Sequence, residues 1–179
     1  MPDLIKTAET MMQMTRGVWE RHANPWSVYT RFTCLPLIVL AIWSRDWIGW
    51  WALLAFVAAC AWTWVNPRAF SPPAHLNNWA SRGVLGERVW LYHKADIAAH
   101  HITMARILAI ASVSGLPFLV WGLWVLELPY TLLGIALLVL PKVWFVDRMV
   151  WVWDDWLRAG NDPAGLGPFR IRENPIESC

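Results

Sequence analysis

The sequence predicts an all-α integral membrane protein: four transmembrane helices form two short-turn hairpins, with an N-terminal interfacial helix and an amphipathic cytoplasmic connection. Hydrophobic residues make up 57% of the 179 residues and charged residues only 16%, a smaller charged share than soluble domains usually have. The 16 tryptophans suit membrane boundaries, because the indole ring is apolar while its N–H needs a polar partner. With a net charge of only +2, the composition does not indicate a nucleic-acid partner.

The two terminal segments are predicted to lie outside the bilayer core. In residues 1–23, apolar side chains recur at helical spacing from Leu4 to Trp19, which predicts an amphipathic helix on the membrane surface that ends at Asn24-Pro25. The same face could instead dock against a partner protein. Residues 157–179 are rich in Gly and Pro and have no hydrophobic period, so an irregular tail is predicted.

Residues 24–156 are predicted to form the membrane domain. Its four apolar segments are each close to the roughly 20 residues that a helix needs to cross a bilayer. These segments are residues 28–43, 47–65, 107–126 and 130–151. Only Ser44-Arg45-Asp46 separates the first two, and only Glu127-Leu128-Pro129 separates the last two, so two tight hairpins are expected. The connection 66–106 begins with a Pro-rich turn and then becomes amphipathic.

The distribution of basic residues predicts the orientation. Of the 15 basic residues, only Arg45 lies in the two short turns. The positive-inside rule therefore places both termini and the long connection in the cytoplasm, with the protein in the cell (inner or plasma) membrane. The tryptophans fall into two groups, one at the level of the short turns and one towards the opposite level, as two aromatic belts would require.

Three acid–arginine neighbours stand beside tryptophans at the predicted cytoplasmic boundary. They are Glu20-Arg21, Glu87-Arg88 and Asp147-Arg148. Neighbours in a helix point about 100° apart, so each acid is expected to meet an arginine of another element. Lys142, Asp147 and Arg148 are expected to face inward, because an unpaired charge at membrane depth costs about 2.5–3.5 kcal/mol. The alternative is that such groups simply reach the lipid headgroups, which is the expectation for Arg31, Arg106 and Arg158.

The histidines provide only weak metal-site candidates. The segment HKADIAAHH supplies His93, Asp96, His100 and His101, the minimum for a metal site, and a surface or boundary role is favoured for them. No metal site is therefore predicted, and no cofactor is identified. The sequence contains no Gly-rich phosphate loop or nucleophile elbow, and the glycines of SRGVLGER are interpreted as weak turn signals.

Three segments resemble the signature segments of an uncharacterised family of small prokaryotic multi-pass membrane proteins, known as a domain of unknown function. They are ERHANPWSVYTR, NWASRGVLGERVWL and KVWFVDRMV, and the resemblance extends from Val18 to Trp151. It implies that a set of motif positions is shared: Glu20, Arg21, His22, Asn24, Asn66, Pro67, Arg82, Glu87, Arg88, Lys142, Asp147 and Arg148. In the predicted topology these residues converge on one membrane face, so all of them except Asn66 and Pro67 form the candidate polar cluster.

Two function classes remain open, and the sequence does not decide whether the protein is an enzyme. The first is a non-catalytic accessory subunit of a larger membrane assembly, such as an energy-converting complex, with lipid and other membrane-protein subunits as partners. The alternative is an enzyme or binding protein for a lipid or isoprenoid-like molecule at the cytoplasmic interface. Arg82, Arg88 and Lys142 would then hold a phosphate or carboxylate. Glu20, His22 or Asp147 would move a proton. A channel or transporter is the third choice, because the four short spans show no repeat and no polar stripe.

Overall fold

The computed structural model describes residues 11–166, and helices form nearly all of this part. No strand occurs in it, so the all-α prediction is confirmed. The helices are α1 (Arg16–His22), α2 (Pro25–Arg31), α3 (Cys34–Trp43), α4 (Arg45–Ile48), α5 (Ala52–Ala69), α6 (Trp79–Tyr92), α7 (Ala99–Val113), α8 (Gly115–Val125) and α9 (Leu128–Arg158). Short 3-10 turns occupy Gly49–Trp51, Lys94–Asp96 and Pro163–Leu166.

Three helical stretches are long and apolar enough to cross a membrane, which agrees with a membrane protein. They are Pro25–Ala69, Ala99–Val125 and Leu128–Arg158. The first stretch is not one straight rod, because α3 packs against α5. Between them the chain turns at Gly49, whose φ of +55° is a left-handed conformation that glycine adopts without steric cost. How often this stretch crosses the bilayer, and hence the four-span arrangement, stays a prediction.

The predicted N-terminal amphipathic helix is not continuous where the structure describes it. The chain turns at Met12-Gln13, with a φ of +47° at Gln13, and α1 begins anew after Thr15. Arg68 donates to the carbonyl oxygens of Met12 and Gln13, which gives these turn groups partners other than a helix. The rest of the prediction, residues 1–10, lies outside the described residues.

The chain after α9 is partly ordered against the core. The 3-10 turn Pro163–Leu166 brings Leu166 into the main hydrophobic core, beside Leu85 and Val152. The predicted irregular tail therefore includes a buried contact at this point. Residues 167–179 lie outside the described part of the chain.

Helix α6 lies between the N-terminal half of the protein, which comprises α1–α5, and the C-terminal half, which comprises α7–α9. It packs most extensively against α9. Asn78 begins α6 by accepting a hydrogen bond from the backbone N–H of Ser81 at 2.8 Å. The Ser81 hydroxyl in turn donates to the carbonyl oxygen of Ala23 at 2.6 Å, which fixes α6 to the end of α1. On its other side, α6 inserts Leu85 and Val89 into the core shared with α7 and α9.

The glycines of SRGVLGER are packing residues, so their interpretation as turn signals is wrong. Gly83 and Gly86 lie within α6, at its contact with α9. A Cβ on Gly83 would lie 2.7 Å from Cγ1 of Val146, and a Cβ on Gly86 would overlap the carbonyl oxygen of Met149. The absence of side chains at these positions lets the two backbones approach closely, as small residues do at helix interfaces in membranes.

We expect Gly86→Ala to destabilise the protein by about 1–3 kcal/mol or more, because the added methyl group overlaps backbone atoms of α9 that cannot rotate away. Thermal unfolding of the detergent-solubilised protein would measure the loss. Gly17→Ala is the matched control, since Gly17 is an exposed helical glycine with open space around its Cβ position. Equal unfolding temperatures for the two variants would contradict this packing.

Candidate functional site

A cavity of about 680 Å³ lies between the N-terminal helices α1–α3 and the helices α6, α7 and α9. Its wall is mainly apolar, with Phe32, Ile38, Leu108, Val139 and Phe145 among the lining side chains. Two basic residues, one acid and one histidine among the described residues also line it: Arg31, Lys142, Glu87 and His22. The cavity therefore combines an apolar volume with a charged patch contributed by four different helices.

Lys142 joins α9 to α6 at this patch. Its Nζ lies 3.7 Å from Oε1 of Glu87 and 4.6 Å from the ring centroid of Phe145. This agrees with the expectation that Lys142 faces the long connection. The pair is loose, and about half of the Lys142 side chain is exposed, so the interaction stabilises the fold little. The ammonium group can therefore contact a second anion in the cavity.

Arg31, which is expected to reach the lipid headgroups, lies in the cavity wall. Its Nη1 is buried and has no hydrogen-bond acceptor among the described residues. A buried donor without an acceptor is costly, because the lost hydration is not replaced. An anionic group in the cavity would supply the missing acceptor.

His22 is a buried, neutral member of the patch. Its Nδ1 lies 3.0 Å from the hydroxyl oxygen of Ser27. Burial is the largest of three effects that lower the pKa of His22 from its usual 6.5 to about 3; the positive charges of Arg31 and Lys142 are the other two. A histidine with so low a pKa is a poor base at neutral pH. Because Ser27 is fully buried and does not line the cavity, the His22–Ser27 contact is not an accessible nucleophile.

The structure divides the predicted polar cluster among several places. Only His22, Glu87 and Lys142 of that cluster line the cavity. Arg82 forms an ion pair with Asp154 of α9. Arg88 is buried and donates to the carbonyl oxygen of Leu166 at 2.5 Å. Neither arginine is therefore placed to hold an anion in the cavity.

Asp147 and Arg148 also have partners other than the expected ones. Oδ1 of Asp147 accepts a hydrogen bond from the indole N–H of Trp79 at 3.0 Å, in place of an arginine. The guanidinium of Arg148 lies 4.9 Å from the ring centroid of Trp151. The expected exchange between an acid and an arginine of different helices occurs instead at Asp154. This residue was not considered, although it follows Asp147 by two helical turns and so lies on a similar face.

Two N-terminal members of the cluster, Arg21 and Asn24, join their helices to the end of α5 and the chain that follows it. Nη1 of Arg21 donates to the carbonyl oxygen of Arg68 at 3.4 Å. Asn24 caps α2 by accepting from the backbone N–H of Trp26 at 2.9 Å, and its side-chain amide donates to the carbonyl oxygen of Ser71 at 2.9 Å. Glu20 is half-buried on α1 and does not line the cavity.

Asn66 and Pro67, the other two positions implied by the resemblance, are buried in α5. The side-chain amide of Asn66 donates to the hydroxyl of Thr30 at 2.7 Å. This contact joins α5 to α2 and places both positions in the packing of the first half.

The four metal candidates do not form one group. His93 lies 3.5 Å from Asp96, from Nδ1 to Oδ2. His100 and His101 instead meet Asp155 of α9, and one possible ligand atom from each lies within 4.8 Å of the others. Asp155 was missed because it comes more than 50 residues later, and only helix packing brings it to α7.

A comparison with protein families gives a match to a model described as "Family of unknown function (DUF6653)", over residues 7–167. The match includes the three segments on which the resemblance was based and also the HKADIAAHH region. No curated protein and no solved structure matches the chain. The site must therefore be interpreted from its own geometry.

We expect the unfolding free energy to fall by up to about 2 kcal/mol as the pH drops from about 6.5 to about 5. Unfolded His22 gains a proton below pH 6.5, whereas folded His22 stays neutral down to about pH 3, so acid favours the unfolded state. Thermal unfolding at a series of pH values would measure the slope. His22→Gln should flatten it, whereas His75→Gln, at an exposed histidine, should not. An unchanged slope in His22→Gln would contradict a buried neutral histidine.

Proposed function

Because this chain belongs to the family of unknown function DUF6653, whose description assigns no activity, we propose its function from the cavity. The protein is a membrane protein that binds an amphipathic molecule with an anionic head and an apolar body between its two halves. The observation that carries this proposal is the cavity itself, in which Arg31 and Lys142 border an apolar volume and Nη1 of Arg31 has no acceptor among the described residues.

We also propose that the chain crosses the bilayer four times as two hairpins, with both termini in the cytoplasm. The packing of α3 on α5 and of α8 on α9 supports this arrangement. Arg45, in the first short turn, donates to the carbonyl oxygens of Leu123 and Trp124 at 2.5 and 2.9 Å, near the second short turn. Of the six tryptophans predicted at the level of these turns, Trp43 is half-buried and the other five are exposed, as an aromatic belt requires: Trp47, Trp50, Trp51, Trp121 and Trp124.

The apolar part of the ligand is inferred from the volume and lining of the cavity. About 680 Å³ is within the range of about 300–1,000 Å³ that small-molecule sites occupy. Aliphatic and aromatic side chains of α1, α2, α3, α6, α7 and α9 contribute to the wall. Hydrocarbon or isoprenoid chains match such a wall. Binding removes the apolar surfaces of the chain and of the wall from water, which is favourable.

The anionic head is inferred from the charges. Two cations, Arg31 and Lys142, face one acid, Glu87, while His22 is neutral at pH 7, so the patch carries an excess positive charge. A guanidinium and an ammonium group bind phosphate or carboxylate oxygens through charge-assisted hydrogen bonds. We therefore propose that Arg31, in place of Arg82 and Arg88, holds the anion together with Lys142. The role as an accessory subunit of a larger membrane complex stays a prediction. It is compatible with ligand binding, because a subunit of a complex can also bind a ligand.

The test is native mass spectrometry of the protein purified in mild detergent, which identifies the molecules that remain bound. We expect a phosphate- or carboxylate-bearing amphiphile on the wild-type chain. Arg31→Gln and Lys142→Met should each weaken its binding about tenfold or more, because each removes a charge-assisted hydrogen bond of about 1.5–3 kcal/mol. Arg106→Gln is the matched control, since it removes an exposed arginine that does not line the cavity.

The apolar part can be tested separately with Ala109→Phe, which adds a ring to the cavity wall on α7. Binding of the amphiphile should fall while the purified protein keeps its unfolding temperature. The proposal fails if the charge variants and Ala109→Phe retain the wild-type set of bound molecules. It also fails if the bound molecules are all neutral lipids and every variant binds them equally.

A further inference from the structure

We propose that His100, His101 and Asp155 form a binding site for a divalent transition-metal ion where the start of α7 meets the end of α9. The three residues each offer one ligand atom, and these atoms all lie within 4.8 Å of one another. They come from two elements that are far apart in the sequence but packed together in the fold. The site does not share a residue with the cavity.

The separation between His101 and Asp155 fits two ligands of one ion. Nε2 of His101 lies 2.9 Å from Oδ2 of Asp155. Ligand atoms at 2.0–2.2 Å from a zinc ion lie roughly 3 Å apart when the angle at the metal is between a right angle and a tetrahedral one. An ion could therefore replace the proton between these two atoms with little movement of either helix. His100 needs only to turn its ring towards them, and that ring already lies 4.1 Å from the ring of His101, between centroids.

The type of donor indicates the class of metal. Two imidazoles and one carboxylate favour zinc and neighbouring first-row ions such as cobalt and nickel, whereas calcium and magnesium prefer oxygen ligands alone. Three protein ligands also leave at least one coordination position for water or another small ligand. Asp155 also borders a second, polar cavity of about 260 Å³, which Arg82, Asp154 and Arg158 line together with it.

Neighbouring groups hold the ligands but also limit the affinity. Nη1 of Arg158 lies 2.7 Å from Oδ1 of Asp155, which orients the carboxylate and leaves Oδ2 directed at His101. His101 is almost fully buried, and His100 is exposed, so an ion can enter from the His100 side. The positive charge of Arg158 opposes the ion, so we expect moderate affinity, in contrast to the closed sites of structural zinc.

The test uses the full chain, purified without a polyhistidine tag, treated with chelator and titrated with Co²⁺ and Zn²⁺. The wild type should bind one ion per chain, and its cobalt spectrum should lack a sulfur-to-metal charge-transfer band. His100→Ala should weaken binding at least tenfold, because it removes one of the three ligands. The His100 side chain is exposed, so its loss should leave the packing of α7 intact. Asp155→Asn should have a similar effect.

His75→Ala is the matched control, since His75 is exposed and lies outside the group. Zn²⁺ should raise the unfolding temperature of the wild type and of His75→Ala but not of His100→Ala. The proposal is overturned if His100→Ala binds as tightly as the wild type, if the cobalt spectrum shows thiolate ligation, or if the wild type binds no ion.

Discussion

The close contact between α6 and α9 is the constraint on which the rest of the structure depends. At Gly86, α6 comes so near to the backbone of α9 that even a methyl group would overlap Met149. The same contact brings two of the three charged residues of α6 to a partner on α9: Glu87 to Lys142 and Arg82 to Asp154. The pairing of charges is therefore a consequence of backbone packing, since exposed ion pairs alone are too weak to hold helices together.

The sequence predicts the helices well and their partners poorly, for a physical reason. Apolar length and tryptophan composition are local properties, and they identify the membrane helices because a bilayer requires a minimum span. The partner of a charged side chain depends instead on which helices pack against each other, and this is not a local property of the sequence. Asp147 was expected to pair with an arginine but accepts a hydrogen bond from the indole of Trp79. Asp154 pairs with an arginine instead, namely Arg82. Glycine is equally ambiguous: Gly86 suggests a turn by composition, and only the neighbouring helix reveals that it serves packing.

The candidate site was predictable only in part because burial decides the role of each cation. Arg88 and Arg82 look as suitable for anion binding as Lys142 does, yet the fold uses one for Leu166 and the other for Asp154. Arg31 looks like an ordinary boundary residue, yet its buried Nη1 has no acceptor in the described part of the chain. A charge whose partners are supplied by the fold is structural. A charge that borders an apolar cavity and has an unused hydrogen-bond donor is a candidate for binding a ligand.

The long helix α9 carries a residue of each proposed site, and its geometry keeps the sites apart. Lys142 and Asp155 lie on one continuous helix, separated by about 20 Å along its axis at 1.5 Å per residue. A head group held by Lys142 and Arg31 therefore cannot coordinate an ion held by Asp155. An ion bound by Asp155 would stabilise the packing of α7 against α9 or bind a second molecule. It would not contact the amphiphile in the cavity. Because they share only a helix, the two sites can be removed one at a time, and each proposal can fail without the other.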